Sequence, residues 1–244
     1  MAGIPQEGQE PITFNYAFTF ENGDRRTLQV ALDPKTLDVV RPAGQGEPPR
    51  WAALAFCQCP TCPLKSAERP TCPAAVNLGE MLTVFVGHRS EEKAEVSIET
   101  PVRTYVKRTS LQQGITSLIG IYMVGSGCPI LGKLKPMVRY HLPFATLEET
   151  QYRALSMYLL AQYLLARRGQ KPDWKLHDLV QMYKDIQLVN EHLLTRLSAI
   201  DKQDPSVNAL VVLEALSYAI AFSVDKEMLD EIEVLFRAYF DRPA

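Results

Sequence analysis

The sequence predicts an α+β fold: a small N-terminal antiparallel sheet with a cysteine-rich loop, followed by a C-terminal antiparallel helical bundle. Three observations predict it. Residues 12–32 alternate apolar and polar side chains on either side of an Asn-Gly pair, the pattern of a hairpin. Four cysteines crowd into residues 57–72. From about residue 110 onward, apolar positions recur every three or four residues, the helical period. The natural division places a β-rich part at 1–109 and a helical part at 110–244, packed together as one compact unit.

The elements follow in chain order. In residues 12–20, Ile12, Phe14, Tyr16, Phe18 and Phe20 share one face of a strand. Asn22-Gly23 supplies the tight turn, because its central positions need positive φ. Leu28, Val30 and Leu32 repeat the period of two, and residues 37–40 suggest a short third strand. The proline- and glycine-rich run 41–50 reads as linker. Residues 74–87 read as helix. Residues 94–107 read as strand, with Pro101 forcing an edge or a break.

The helical half opens with an apolar helix ending near Val124. Thr146 and Glu149 form a capping box ahead of a long helix to Arg168, and Gly169 stops it. Asp173 is expected to cap the next helix, whose apolar stripe runs through Leu176, Leu179, Tyr183, Ile186, Val189, Leu193 and Leu197. Asp204-Pro205 opens a helix to about Phe222, and Ser223 caps a last one ending near Phe240.

Composition narrows the function classes. A chain of 244 residues buries roughly 70–75% of its unfolded surface, so it needs no metal or disulfide merely to have a core. No stretch reaches the roughly 18 apolar residues of a membrane helix, and residues 1–7 lack the pattern of a signal peptide. A cytoplasmic location is the expectation. There, clustered cysteines more often bind metal than form disulfides. Charge is uneven: residues 100–147 carry six basic side chains and no acidic ones. Arg103, Lys107, Arg108, Lys133, Lys135 and Arg139 are therefore a candidate anion site, unless they pair with the acidic flanks.

Cys57, Cys59, Cys62 and Cys72 are the candidate metal ligands. Cys59-Pro60-Thr61-Cys62 has the form of a metal knuckle, in which a tight turn directs amides at two thiolates. A thiolate-rich set suits zinc or an iron–sulfur cluster. The spacing departs from the ferredoxin run, which favours zinc, and a closed set of four ligands implies a structural ion. The C-x-C spacing strains joint use of Cys57 and Cys59, and His88 or His141 is the substitute for Cys57. His177 and His192 read as surface or satisfied helix residues.

Cys128, in Gly125-Ser126-Gly127-Cys128-Pro129, is either a buried corner thiol or a nucleophile activated at a helix start, with His141 as its base. Neither glycine turn matches a phosphate loop, and no aromatic–basic interleaving supports nucleic-acid binding.

The hairpin, Cys59-Pro60-Thr61-Cys62-Pro63-Leu64 with Cys72-Pro73, Ser126-Gly127-Cys128-Pro129, and Lys135–Arg139 before His141–Ala145 resemble, in that order, an uncharacterised bacterial family of unknown function. The resemblance covers most of the chain. It implies no activity, and it implies that the knuckle, Cys128 and the Lys135–Ala145 segment belong to one module. The expected function is a non-enzymatic, zinc-binding scaffold or regulatory protein with a protein partner, and homo-oligomers are compatible with it. The alternative is a thiol-dependent or iron–sulfur redox enzyme that binds an anion near Cys128.

Overall fold

Four strands, β1 (Ile12–Phe20), β2 (Arg25–Leu32), β3 (Lys93–Glu99) and β4 (Thr104–Ser110), form one antiparallel sheet in the order β2-β1-β3-β4. The computed structural model describes residues 10–41, 47–199, 208 and 226–240. Phe14, Tyr16, Phe18 and Phe20 of β1, Val30 and Leu32 of β2, and Ala94, Val96 and Ile98 of β3 are buried. Their alternation with exposed neighbours gives the sheet one core face and one wet face. Fully burying each of the large apolar side chains contributes about 1.5–3 kcal/mol before the entropy of ordering is counted. The β1–β2 hairpin turns at Gly23, whose φ is +86°.

Pro101 falls in the turn between β3 and β4, so the expected strand 94–107 is broken in two. Residues 37–40 do not form a strand. Leu37 has a φ of 58°, and the segment makes one isolated bridge, Leu32 to Val39.

The helices are α1 (Pro73–Leu82), α2 (Leu111–Val124), α3 (Lys135–Arg139), α4 (Leu147–Arg167), α5 (His177–Ser198) and α6 (Lys226–Glu233), with a last turn at Arg237–Phe240. Ser110 caps α2 by accepting from the Gln113 amide. Gly114 then lets α2 lie directly on the sheet: a Cβ there would sit 2.7 Å from Phe18 and 2.9 Å from Val96. Thr146 and Glu149 close the expected capping box on α4. Leu160 and Tyr163 of α4 are solvent-facing.

Asp173 is not the residue at the helix junction of α5, which is Leu176 in a left-handed conformation. Its carboxylate nevertheless serves the helix start, accepting from the Asp178 and Lys175 amides and from the Tyr158 hydroxyl. The helix expected from Asp204 to Phe222 lies outside the described residues, apart from Asn208. One buried cluster runs from the sheet through α1 and α2 to α4 and α5, joining residues on both sides of position 109. No helix among the described residues is long and apolar enough to cross a membrane.

Candidate functional site

Residues 54–70 leave the core as a loop closed at its base. Ala53 bridges Thr71, Cys72 donates its amide to Ala52 O at 2.8 Å, and Leu54 donates to Pro70 O at 2.7 Å. Within the loop, the Cys62 amide donates to Cys59 O at 3.0 Å, which makes the expected Cys-Pro-Thr-Cys turn. Cys72 stands at the N-terminus of α1, with Pro73 at the first helical position. The turn 125–128 is anchored nearby. Val39 donates to Gly125 O at 2.7 Å, and Gly127, at φ +80°, faces the Arg69 guanidinium of the loop.

This arrangement gathers four thiols. Burial pushes the Cys59 thiol up to about 12, and Cys72, Cys62 and Cys128 each add to that by electrostatic repulsion, while Arg196 opposes it. Burial also raises Cys128, against hydrogen bonds from the Leu131 and Ile130 amides, with Cys72 and Cys62 raising it further. All five cysteines are free. Among the described residues, no group of three or more His, Cys, Asp or Glu side chains stands in an arrangement that holds a metal ion.

Arg196 is what ties the loop to the helical half. It lies on α5 and is 1% exposed. Its guanidinium donates to the carbonyls of Trp51, Ala53 (2.7 Å), Leu54 (3.1 Å) and Cys57 (2.8 Å), and it stands 5.9 Å from the Phe56 ring. Among the described residues no carboxylate pairs with it. With backbone carbonyls as its hydrogen-bond partners among the described residues, this buried guanidinium favours negative charge nearby.

The six basic residues do not converge. Lys135 pairs with Asp38 at 2.8 Å and Arg108 with Glu95 at 3.2 Å, so each meets an acidic flank. Arg139 lies by the Tyr140 ring, Lys107 by the Phe144 ring, and Arg103 and Lys133 are exposed. His141 and Cys128 serve different places. His141 hydrogen-bonds the Tyr16 hydroxyl at 3.0 Å and packs edge-on against Phe14, in a cleft beside Arg153. Burial, then Arg153, lowers its pKa to about 3, so it is neutral at physiological pH. His88 stacks on Phe20 and meets Glu92 at 2.9 Å and Asp24 at 3.2 Å, tying the hairpin turn to residues 88–92. Neither histidine joins the cysteines in these contacts.

Residues 14–237 match a family described as a domain of unknown function, DUF6901. The chain belongs to this family. The match spans both the sheet and the helical region, as the resemblance to an uncharacterised family implied. No curated protein and no solved structure matches the chain.

Spacing set Cys128 apart from the clustered cysteines as a nucleophile or corner thiol and passed over Arg196, yet both left signals. Cys59, Cys62, Cys72 and Cys128 are each followed by proline, whereas Cys57 is followed by Gln58. Arg196 falls on the inward stripe of α5, beside Leu193 and Leu197.

Proposed function

We propose that this protein is a non-enzymatic metal–thiolate protein, with a centre ligated by Cys59, Cys62, Cys72 and Cys128 that staples the 54–72 loop to the helical half. Cys128 takes the place that sequence spacing gave to Cys57. The observation that carries the reading is Arg196, a buried cation that meets no carboxylate among the described residues and acts on Cys59. Four thiolates around a divalent zinc ion carry a net charge of about −2, which such a cation stabilises. The α1 N-terminus at Cys72 and the two amides on Cys128 favour the same sign of charge.

The ion is zinc on this reading, because four thiolates leave no open position and make a structural site. A mononuclear zinc site draws the sulfurs to about 3.8 Å from one another, given a Zn–S bond near 2.3 Å. The knuckle must therefore close onto Cys72 and Cys128 as the ion enters. Among the described residues no three such side chains already stand around one ion, which favours a second reading, an iron–sulfur cluster, whose several irons hold their thiolates further apart than a single ion does. The stapled loop and the solvent-facing apolar side chains of α4, Leu160 and Tyr163 among them, would serve a protein partner.

Elemental analysis with an absorption spectrum, on protein purified without oxygen, tests the centre. About one zinc per chain and no visible colour is the expected result. Iron with sulfide and a brown colour selects the cluster. Absence of metal, or equal metal content in Cys59→Ser/Cys62→Ser, overturns the proposal.

A further inference from the structure

The cleft that holds His141 has no cysteine in its lining. It has a volume of about 430 Å³, within the range of small-molecule sites. Its walls come from α2, α3, the 141–146 turn, the start of α4, Lys107 of β4 and Tyr183 of α5. Most of its lining is apolar, and its two charged residues, Lys107 and Arg153, are both cations. No acidic side chain lines it.

We propose that this cleft binds a small organic monocarboxylate with an apolar body, its carboxylate on Arg153 and its body along α2 at Gly120. Arg153 is fixed for that role. Nη2 donates to Met137 O at 3.0 Å and Tyr140 O at 2.8 Å, and among the described residues its other guanidinium nitrogens have no protein partner. A planar fork held at one corner presents its free N–H groups to a carboxylate with little further loss of entropy. Glu149 acts on Arg153 from the preceding turn of α4, but one of its oxygens is committed to the Thr146 amide and it does not line the cleft. Burial holds Arg153 below the usual guanidinium range, the condition that a bound anion relieves.

Two backbone features keep the space open. Gly120 sits inside α2, where glycine costs about 0.5–1 kcal/mol relative to alanine. A Cβ there would meet nothing within 4 Å, so the void is room left in the cleft, not a close approach of two elements. Phe144 holds a φ of 60°, which is rare for an aromatic residue, with its amide on Ser117 Oγ at 3.3 Å and Lys107 Nζ 5.7 Å from its ring. Strained residues of this kind concentrate at ligand clamps. His141, neutral and bonded to Tyr16, adds a polar wall without adding charge.

Calorimetric titration of the full chain with octanoate tests the proposal, with octanamide as the uncharged analogue and acetate as the anion without an apolar body. Octanoate is expected to saturate one site, and octanamide and acetate each to bind at least about tenfold more weakly. Gly120→Leu projects a side chain into the cleft from a position where an added Cβ meets nothing within 4 Å. It is expected to abolish octanoate binding while leaving the thermal midpoint unchanged or raised. Arg153→Gln is expected to bring octanoate to the level of octanamide. Arg153 also carries two carbonyls, so Gly120→Leu is the deciding variant. No saturable octanoate binding, equal binding of octanamide, or full octanoate binding by Gly120→Leu overturns the proposal. Metal content does not enter any of these readouts.

Discussion

At the scale of single residues, the two proposed sites draw on different titratable groups, the thiols with Arg196 and His141 with Arg153. Cys128→Ser is expected to lose bound metal, and Cys57→Ser to keep it, because Cys57 contributes its carbonyl to Arg196. Metal per chain decides between them, and retention by Cys128→Ser would return Cys57 to the ligand set. Arg196→Met removes four hydrogen bonds to backbone carbonyls, one buried and three part-buried, and is expected to cost about 3 kcal/mol in chemical unfolding. A loss under about 1 kcal/mol would mean that water replaces the guanidinium. His141 supplies a pH dependence. Its folded pKa, about 3, lies below the unfolded value near 6.5. Its contribution is complete above the unfolded value, declines as pH falls below it, and is gone by about pH 3. His141→Gln is expected to flatten the stability curve between those limits, and an unchanged slope would show that other groups set it. These groups were only partly legible in the sequence. Apolar periodicity marked the inward stripe of α5, but a stripe is read from its apolar members, so the arginine among them passed unseen. Cysteine spacing emphasised neighbours in the chain. The structure instead gathers thiols that the chain separates by more than fifty residues, each followed by proline.

At the scale of elements, what was legible was local. The hairpin, the break at Pro101 and the α4 capping box each depend on residues within one or two turns of one another, and each forms where the pattern put it. Contacts across the chain were not legible. The 37–40 segment has strand-like residues, yet Val39 gives its amide to Gly125 and closes the turn ahead of Cys128. Asp173 looks like a helix cap and acts as one through space, four residues before the helix begins. Gly114 is a similar case: nothing local distinguishes it from Gly120, yet one faces the sheet and the other an open cleft. Gly114→Ala is expected to destabilise by about 1–3 kcal/mol, since the new methyl drives into Phe18 and Val96. Helix propensity alone would give a gain of about 1 kcal/mol. Urea unfolding reads the sign directly, and a gain would mean that α2 can lift from the sheet at little cost.

At the scale of the molecule, the proposed metal centre and the core are separable. The buried cluster runs from β1 and β3 through α1 and α2 to α5, and of the proposed ligands only Cys72 and Cys128 are buried within it. Cys59 and Cys62 sit against its edge, in a loop closed at its base by backbone bonds that need no metal. Chelation is therefore expected to leave the far-ultraviolet dichroism and the cooperativity of unfolding intact. The loop responds differently. Without the ion, Cys59 is protonated at neutral pH, and the knuckle keeps only its own turn, the Gln58 to Leu64 hydrogen bond at 2.7 Å and its packing against the edge of the core. Protease cleavage within residues 57–71 should then rise sharply while the sheet and α2 stay protected. Metal uptake should release protons and weaken as pH falls, because raised thiols must be deprotonated before they bind. Limited proteolysis of the chelated and metal-loaded protein, mapped by mass, separates the possibilities. Cleavage confined to the loop supports a staple on a self-sufficient core. Loss of the sheet on chelation would make the ion part of the folding nucleus, and identical cleavage patterns would remove the centre from the loop altogether.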